Sequence, residues 1–396
     1  MTETAGASKV SLVLNLLALG NFVVGMGAFV VIGIITPIAD GLNVSTADAG
    51  IVLTGYAIAY ALLSPVGAAL TGSLPRRAVL TGALALFCLG SILSALSWSL
   101  PMLTASRVLV AFGAALYTPL SAGLAVAIVP PEQRGRALSR VFGGITLAQV
   151  LGVPLGAWLA YRFGWHSTFW TVAALSAVSA VIVLRAIPRE ITVQAAGLGA
   201  IAGALKTPQL LVAVTFTATI MAAVYIVFTF FGPLIEASAG SNPETRTFYL
   251  VLFGTGAVAG NFMGGYLSDR IGPRNTLLIV CAAQILLMPL FSIIPWHPVL
   301  FAVLVAIWSS FGWSFMAPQQ SRLVALAPRT QALALALNAA MIYVGIAIGS
   351  GIGGAILSWQ GLSALGVAGG IGAVAALLHL MLSSRTPKTN TALPLP

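Results

Sequence analysis

Twelve long, mostly apolar runs divide this sequence, with only short charged, polar or proline-bearing breaks between them. They lie at roughly 11–38, 49–71, 78–98, 101–129, 137–160 and 167–187. After a wider break come 208–235, 247–268, 276–295, 298–320, 331–357 and 362–383. About 20 apolar residues suffice for a helix to cross the hydrocarbon core of a bilayer. In lipid every backbone N–H and C=O must be paired within the protein, which restricts such segments to helices. The run 101–129 is longer than a perpendicular helix needs, so it is expected to tilt or protrude. Only 7% of the residues are charged, against about 25% in a soluble domain, too few to build a water-facing surface. Frequent glycines and long unalternating runs exclude an outer-membrane barrel. Apolarity from Ser11 towards Pro37 is too long for the core of a cleavable signal. The expected fold class is an all-α membrane protein of twelve spanning helices.

Twelve spans place both termini on one side of the bilayer. All but three of the 18 Lys and Arg fall on the side of the termini: Arg162 and Arg246 lie opposite, and Arg107 lies within a span. By the positive-inside rule both termini are cytoplasmic. The net charge of +10 therefore reads as topology, and the partner is a lipid bilayer, with no nucleic acid. Cys88 and Cys281 sit inside apolar runs and offer neither a disulfide framework nor a metal spacing. With no nucleophile triad, metal cluster or phosphate loop, neither an enzyme nor a cofactor is expected. A monomer is the expected form.

The chain also repeats itself. LPRRAVL at 74–80 matches IGPRNTLL at 271–278, and Gly152 and Gly156 recur 197 residues later as Gly349 and Gly353. Pro130 and Pro328 stand 198 apart. The expected organisation is a six-helix bundle over 1–190, a cytoplasmic linker over 191–207, a second six-helix bundle over 208–384 and a disordered tail over 385–396. A parallel duplication of this kind is expected to give two pseudo-symmetric halves.

The most polar short piece among the spans is GYLSDRIGPR. There Gly265, Leu267, Asp269, Arg270, Gly272 and Arg274 satisfy G-x-L-x-D-R-x-G-x-R. Gly265 would let helices approach closely, and Gly272 would allow a positive φ in a tight turn. Asp269 could accept from helix N-terminal N–H groups or a neighbouring Arg. This resembles the cytoplasmic signature of the major facilitator superfamily, and the resemblance spans the whole chain. It implies a latch between the halves in the outward-facing state. The first-half echo keeps Arg76 and Arg77 but has Gly72 at the Asp position and Ala68 at the leading Gly, so this half lacks the acidic latch. Gly152-Val153-Pro154-Leu155-Gly156, the GWHSTFW stretch from Gly164, and PPEQRGRA at 130–137 are similar to pieces of the drug:proton antiporter family. The similarity is to its sugar- and chloramphenicol-efflux-like branch. Gly152, Pro154 and Gly156 are identified with its antiporter motif; generic close packing is the competing reading.

Arg107, four residues after Leu103, resembles that family's fourth-span Arg. A lone Arg at the bilayer centre costs about 3 kcal/mol or more, so it must face water or a partner; snorkelling to the outer interface is the alternative. Ala111, Ala114, Thr118 and Ser121 share its helix face and would suit a cavity wall. None of the eight carboxylates falls mid-span, and Ala28 stands where many relatives carry a first-span Glu. The proton-coupling candidates are Asp40, Asp48 and Glu236. Asn21, Arg107, Tyr117, Gln149, Tyr225, Asn261, Trp313, Asn338 and Tyr343 are the candidate substrate-cavity residues. Their mix suits neutral or weakly polar solutes. Gln320 and Arg322 are candidates for a cytoplasmic gate. The resemblance implies a bacterial-type inner-membrane exporter of small drug- or sugar-type solutes by alternating access, in exchange for protons. A facilitator or potential-driven carrier without proton exchange, and a non-transporting membrane sensor, stand as alternatives.

Overall fold

A computed structural model of the chain describes residues 2–71, 74–130, 133–187, 208–327 and 331–383. The linker expected at 191–207 and the tail expected at 385–396 lie outside the described residues, as do Gly72, Pro131, Glu132 and Pro328. The described residues form helices and connecting turns, with no strand among them.

Among the described residues, twelve helices are long and apolar enough to span a membrane. The first six are α1 (Val10–Leu42), α2 (Thr46–Ser64), α3 (Arg76–Ala95), α4 (Leu100–Ala127), α5 (Arg134–Phe163) and α6 (Trp165–Ala186). The second six are α7 (Pro208–Ala239), α8 (Pro243–Ile271), α9 (Pro273–Ser292), α10 (Pro298–Leu326), α11 (Ala334–Gln360) and α12 (Ala364–Ser383). Several run past the expected ends. α8 starts at Pro243 rather than 247 and continues to Ile271, so Arg246, Asp269 and Arg270 are helical. α5 takes in Arg134 and Arg136 at one end and Tyr161 and Arg162 at the other. Charges cut the sequence reading short, yet a helix that protrudes from lipid can carry them.

The two sets of six pack alike. α1 packs on α5 and α6, α2 on α4, and α3 on α6. In the second set α7 packs on α11 and α12, α8 on α10, and α9 on α12. Glycine explains how the backbones approach. A Cβ on Gly152 would lie 3.0 Å from that of Met26, and one on Gly156 would run into Val30. In the second set, side chains at Gly349 and Gly353 would meet the carbonyls of Ala222 and Ile226. Both partners recur, since 222 and 226 stand 196 residues beyond 26 and 30. The duplication read from sequence is thus a duplication of helix contacts. Serine and threonine hydroxyls inside the spans mostly donate to the carbonyl four residues back, as Ser91 does to Phe87 and Thr229 to Tyr225, which hides them from lipid.

Among the described residues the halves meet chiefly at α2 with α11, α5 with α8, and α1 with α7. Proline shapes these seams. Pro154 cannot donate to the carbonyl four residues earlier, and α5 widens into a π segment at Ala148–Gly152. The backbone of Gly254 on α8 lies against this segment: a Cβ there would sit 2.7 Å from the Cα of Val150. Pro233 likewise breaks α7 between Phe228 and Phe231.

Candidate functional site

Hereafter the near end of the bundle is that of the two termini, and the far end is opposite. In the interior, Arg107 on α4 is fully buried. Its Nη2 donates to the carbonyl of Gly27 on α1 at 2.6 Å, and its guanidinium carbon lies 4.8 Å from the ring centroid of Tyr56 and 5.7 Å from that of Phe169. It therefore does not snorkel. Nε and Nη1 have no hydrogen-bond partner, nor do the hydroxyls of Tyr56 and Thr104. Two ion pairs occur among the described residues, and neither includes Arg107.

Tyr56 opens onto the seam between the halves. Its ring is 6.3 Å from Tyr60, one helical turn along α2, and 6.2 Å from Tyr343 on α11. Tyr60 and Tyr343 stack at 3.5 Å, 20° from parallel. Tyr343 is half-buried while Tyr56, Tyr60 and Tyr225 are buried. The interior of the seam is therefore a charge and an aromatic stack contributed by both halves.

The other cavity candidates divide. Asn21 donates to Ser121 of α4 at 2.8 Å, and the Tyr117 hydroxyl lies over the Leu17 carbonyl at 3.4 Å. Asn338 accepts from Thr217 of α7 at 2.5 Å. Each of these ties helices within one half. The face of α4 bearing Ser121 thus packs on α1, correcting the expected open wall, because Asn21 satisfies the hydroxyl where water would. Trp313 lies edge-on to Phe228 and Phe253, at 5.3 and 5.1 Å, in an aromatic cluster of the second half. Tyr225 meets the same cluster through Phe228 at 5.4 Å. The carbonyl of Gln149 lies at the α5–α8 seam, and Asn261 is half-buried on α8. Gly152, Pro154 and Gly156 are buried, with the two glycines against α1.

Of the carboxylate candidates, Asp40 and Asp48 are exposed, and Asp48 only caps a short turn with Ser45. Glu236 differs. Its Oε1 pairs at 2.9 Å with Nη2 of Arg246, whose side chain is 5% exposed. The Tyr161 hydroxyl donates to the same oxygen at 3.3 Å, and the Arg246 guanidinium lies 3.8 Å over the Tyr161 ring. Arg162 pairs with Glu244 beside them, both about half exposed. With the Thr54–Ser350 contact of 2.7 Å, these bonds join the halves towards the far end. Sequence reasoning missed Tyr161 and Arg246 because both fell in expected loops. It missed Tyr56 and Tyr60 because each alone resembles packing; their spacing of four on one helix face was the available signal.

The latch residues lie at the near end. Gly272 has φ +84° and is the whole turn between α8 and α9. Gly265 does not make the close approach expected of it: a Cβ there would be 4.0 Å from Ala317, whereas one on Gly264 or Gly260 would strike the α10 backbone. One face of α8 meets α10, and Gly265 falls one residue off it. Among the described residues Asp269 makes neither of its expected bonds and is exposed with Arg274. Exposed Arg270 lies 4.7 Å over the Tyr266 ring. Arg76 is buried and reaches the Thr71 carbonyl at 3.5 Å; Arg77 is half-buried. Gln320 is exposed, while Arg322 donates to Ser383 of α12 at 2.6 Å, a bond within the second half. A cavity of about 420 Å³ opens at the near end between α1, α4 and α5, lined in part by Ser11, Gln133, Arg136 and Arg140. It belongs to the first half alone and does not reach Arg107.

A profile described as the Major Facilitator Superfamily matches residues 17–329. The chain is 28% identical over 374 residues to an uncharacterized MFS-type transporter, YbcL, of Bacillus subtilis (strain 168), covering 94% of this chain and 96% of that one. It is 29% identical over 380 residues to the inner membrane transport protein YdhP of Escherichia coli (strain K12), covering 95% and 97%. Among solved structures, the fold matches a bacterial homolog to the human lysosomal transporter Spinster in two inward-facing forms. The occupied form gives a TM-score of 0.76 at 20% identity, covering 96% of this chain and 97% of that one. The unoccupied form gives 0.71 at 19%, covering 95% of each.

Proposed function

The chain belongs to the major facilitator superfamily, and from that premise we propose that this multi-pass inner-membrane transporter exports small organic solutes, of drug or sugar type, in exchange for protons. The reading rests chiefly on one observation: the halves are joined towards the far end, above an interior seam that both of them line with tyrosines. Such a seam opens to alternate sides when two rigid halves rock. The Lys and Arg distribution supports cytoplasmic termini, which makes the far end the outer one. Asp269, Arg270 and Arg274 are then free to latch the near end once the far end parts.

For the proton, Glu236 is the candidate that the geometry favours over Asp40 and Asp48. Protonation would cancel its ion pair with buried Arg246 and loosen a junction shared with Tyr161 of the other half. That couples charge to opening without a mid-span carboxylate. The missing mid-span acid favours the second reading, a potential-driven or facilitated carrier.

Inverted vesicles decide between them. A purified-protein thermal-shift screen of drugs, sugars and nucleosides supplies the solute. Its uptake should collapse when the pH gradient is dissipated, and in Glu236→Gln. Uptake that survives dissipation rejects proton exchange in favour of the second reading; no uptake of any stabilising solute rejects export.

A further inference from the structure

Arg107 brings a positive charge into a place where the described residues supply no negative one. Its hydrogen bonds, from Nη2 to the Gly27 carbonyl at 2.6 Å and the Ala28 carbonyl at 3.5 Å, do not neutralise it, and the neighbouring side chain on α1 is that of Ala28, an apolar residue that cannot. Burying an unpaired charge is unfavourable, so such a group is matched by a counter-charge at some stage of its work. The other buried arginine with unpartnered nitrogens, Arg246, has its carboxylate in Glu236. Arg107 has none.

What surrounds Arg107 specifies the missing partner. Nε and Nη1 of Arg107, Oη of Tyr56 and Oγ1 of Thr104 are buried and unpartnered. Thr104 is one turn before Arg107 on α4, and its methyl lies against α2 at Gly55, next to Tyr56. All four groups can donate. A carboxylate accepts only, through two oxygens with about four lone-pair positions, and its bonds to a guanidinium are charge-assisted. The corner holds one cation, so it matches one negative charge. Phe169 and the stacked Tyr60 and Tyr343 provide apolar faces for an organic body.

We propose that Arg107, Tyr56 and Thr104 anchor a single carboxylate of the transported solute, which makes the substrate class small organic monocarboxylates. This rests on the reading of the chain as a solute exporter and narrows its solute. Access is built into the seam: Tyr343, half-buried, covers Tyr56 from the other half, and rocking that carries α11 away from α2 uncovers the corner. The solute's carboxylate fills the place where Ala28 offers none.

The test uses purified full-length protein in detergent and in proteoliposomes. The probes are benzoate, 4-hydroxybenzoate and indole-3-acetate, each beside its primary amide, with chloride as a competitor. Expected for the native protein is thermal stabilisation and uptake by at least one acid, with its amide at least tenfold weaker and equimolar chloride not displacing it. In Arg107→Gln the acid should lose that tenfold preference; in Arg107→Lys part of it should remain. Arg162→Gln, at the exposed far-end pair, should keep it. Equal response to acids and amides, displacement by chloride, no response to any acid, or a preference that persists in Arg107→Gln would each overturn the proposal. The acid–amide comparison needs no variant, so a variant that fails to fold leaves the test intact. Transport of the amides or of neutral sugars without the acids would reject the carboxylate and keep the exporter. Absence of transport for every solute would reject the exporter itself.

Discussion

The two halves share a packing scheme and differ in what they place inside it. Shifted by 197 residues, Tyr56 falls on Phe253 and Arg107 on Leu304. The first pair is the polar corner described above. The second belongs to an apolar cluster in which Phe253 stacks on Phe228 at 4.2 Å and lies 5.6 Å from Trp308. Phe253 and Leu304 carry no hydroxyl and no charge, while their first-half counterparts carry three unpartnered donor atoms, Oη of Tyr56 and Nε and Nη1 of Arg107. Glycine contacts that set the helix spacing recur in both halves, but the chemistry does not. If the carboxylate proposal holds, the first half carries the anchor and the second contributes mainly the aromatic face of Tyr343.

Exchanging residues across the repeat tests that division, and the largest effect is expected at the charge. Leu304→Arg puts a cation into a buried apolar cluster, at a cost of about 3 kcal/mol or more. It should give little folded protein by size-exclusion chromatography. The reciprocal Arg107→Leu removes a buried charge and should unfold no earlier than the native protein in detergent, yet lose transport at least tenfold. If Arg107→Leu unfolds much earlier, the arginine is a structural pin and the first half is not a binding face.

Next in size is the far end, where the comparison inverts. Asp40 and Glu236 stand 196 apart at equivalent ends of α1 and α7, but only Glu236 is paired, and with a buried partner from its own half. Glu236→Gln leaves Arg246 without its counter-ion. Full burial would make that about 3–5 kcal/mol; since Glu236 keeps 22% of its side chain exposed, about 2 kcal/mol is expected. Asp40→Asn, on an exposed side chain, should stay within about 0.5 kcal/mol. Thermal unfolding of the two variants side by side measures the difference, and equal values would mean that the Glu236–Arg246 pair contributes nothing to holding the far end.

Much of this was legible beforehand because it rests on local rules. Lipid permits little besides helices, so run length alone gave twelve spans. The shared offset of Gly152, Gly156, Gly349 and Gly353 announced the repeat, and Gly272 its positive-φ turn. The seam was less legible. Asn21, Tyr117 and Asn338 are as polar as Tyr343, but which neighbour satisfies a polar group depends on a helix about 100 residues away. Arg246 was hidden for a different reason: a charge near a span end reads as loop until Glu236 is seen to pair with it and the ring of distant Tyr161 to cover it. Gly264 and Gly265 are adjacent and identical, and only the rotation of α8 against α10 decides which one matters.

The smallest expected effect is also the most discriminating, since it concerns single hydroxyls. Tyr56→Phe removes a hydroxyl that has no partner in the closed seam, so it should leave stability within about 1 kcal/mol of native or raise it. Transport should fall several-fold, because that hydroxyl helps to hold the solute. Phe253→Tyr adds a hydroxyl at the equivalent place in the other half, among rings that offer no acceptor. An unsatisfied buried hydroxyl costs about 1–3 kcal/mol, so this variant should unfold earlier while the native Arg107 corner still prefers acids to amides. The same atom then has opposite consequences in the two halves: function without stability in one, stability without function in the other. If both variants shift stability alike and neither alters transport, the repeat is symmetric in chemistry as well as in packing, and the binding face must be sought elsewhere along the seam.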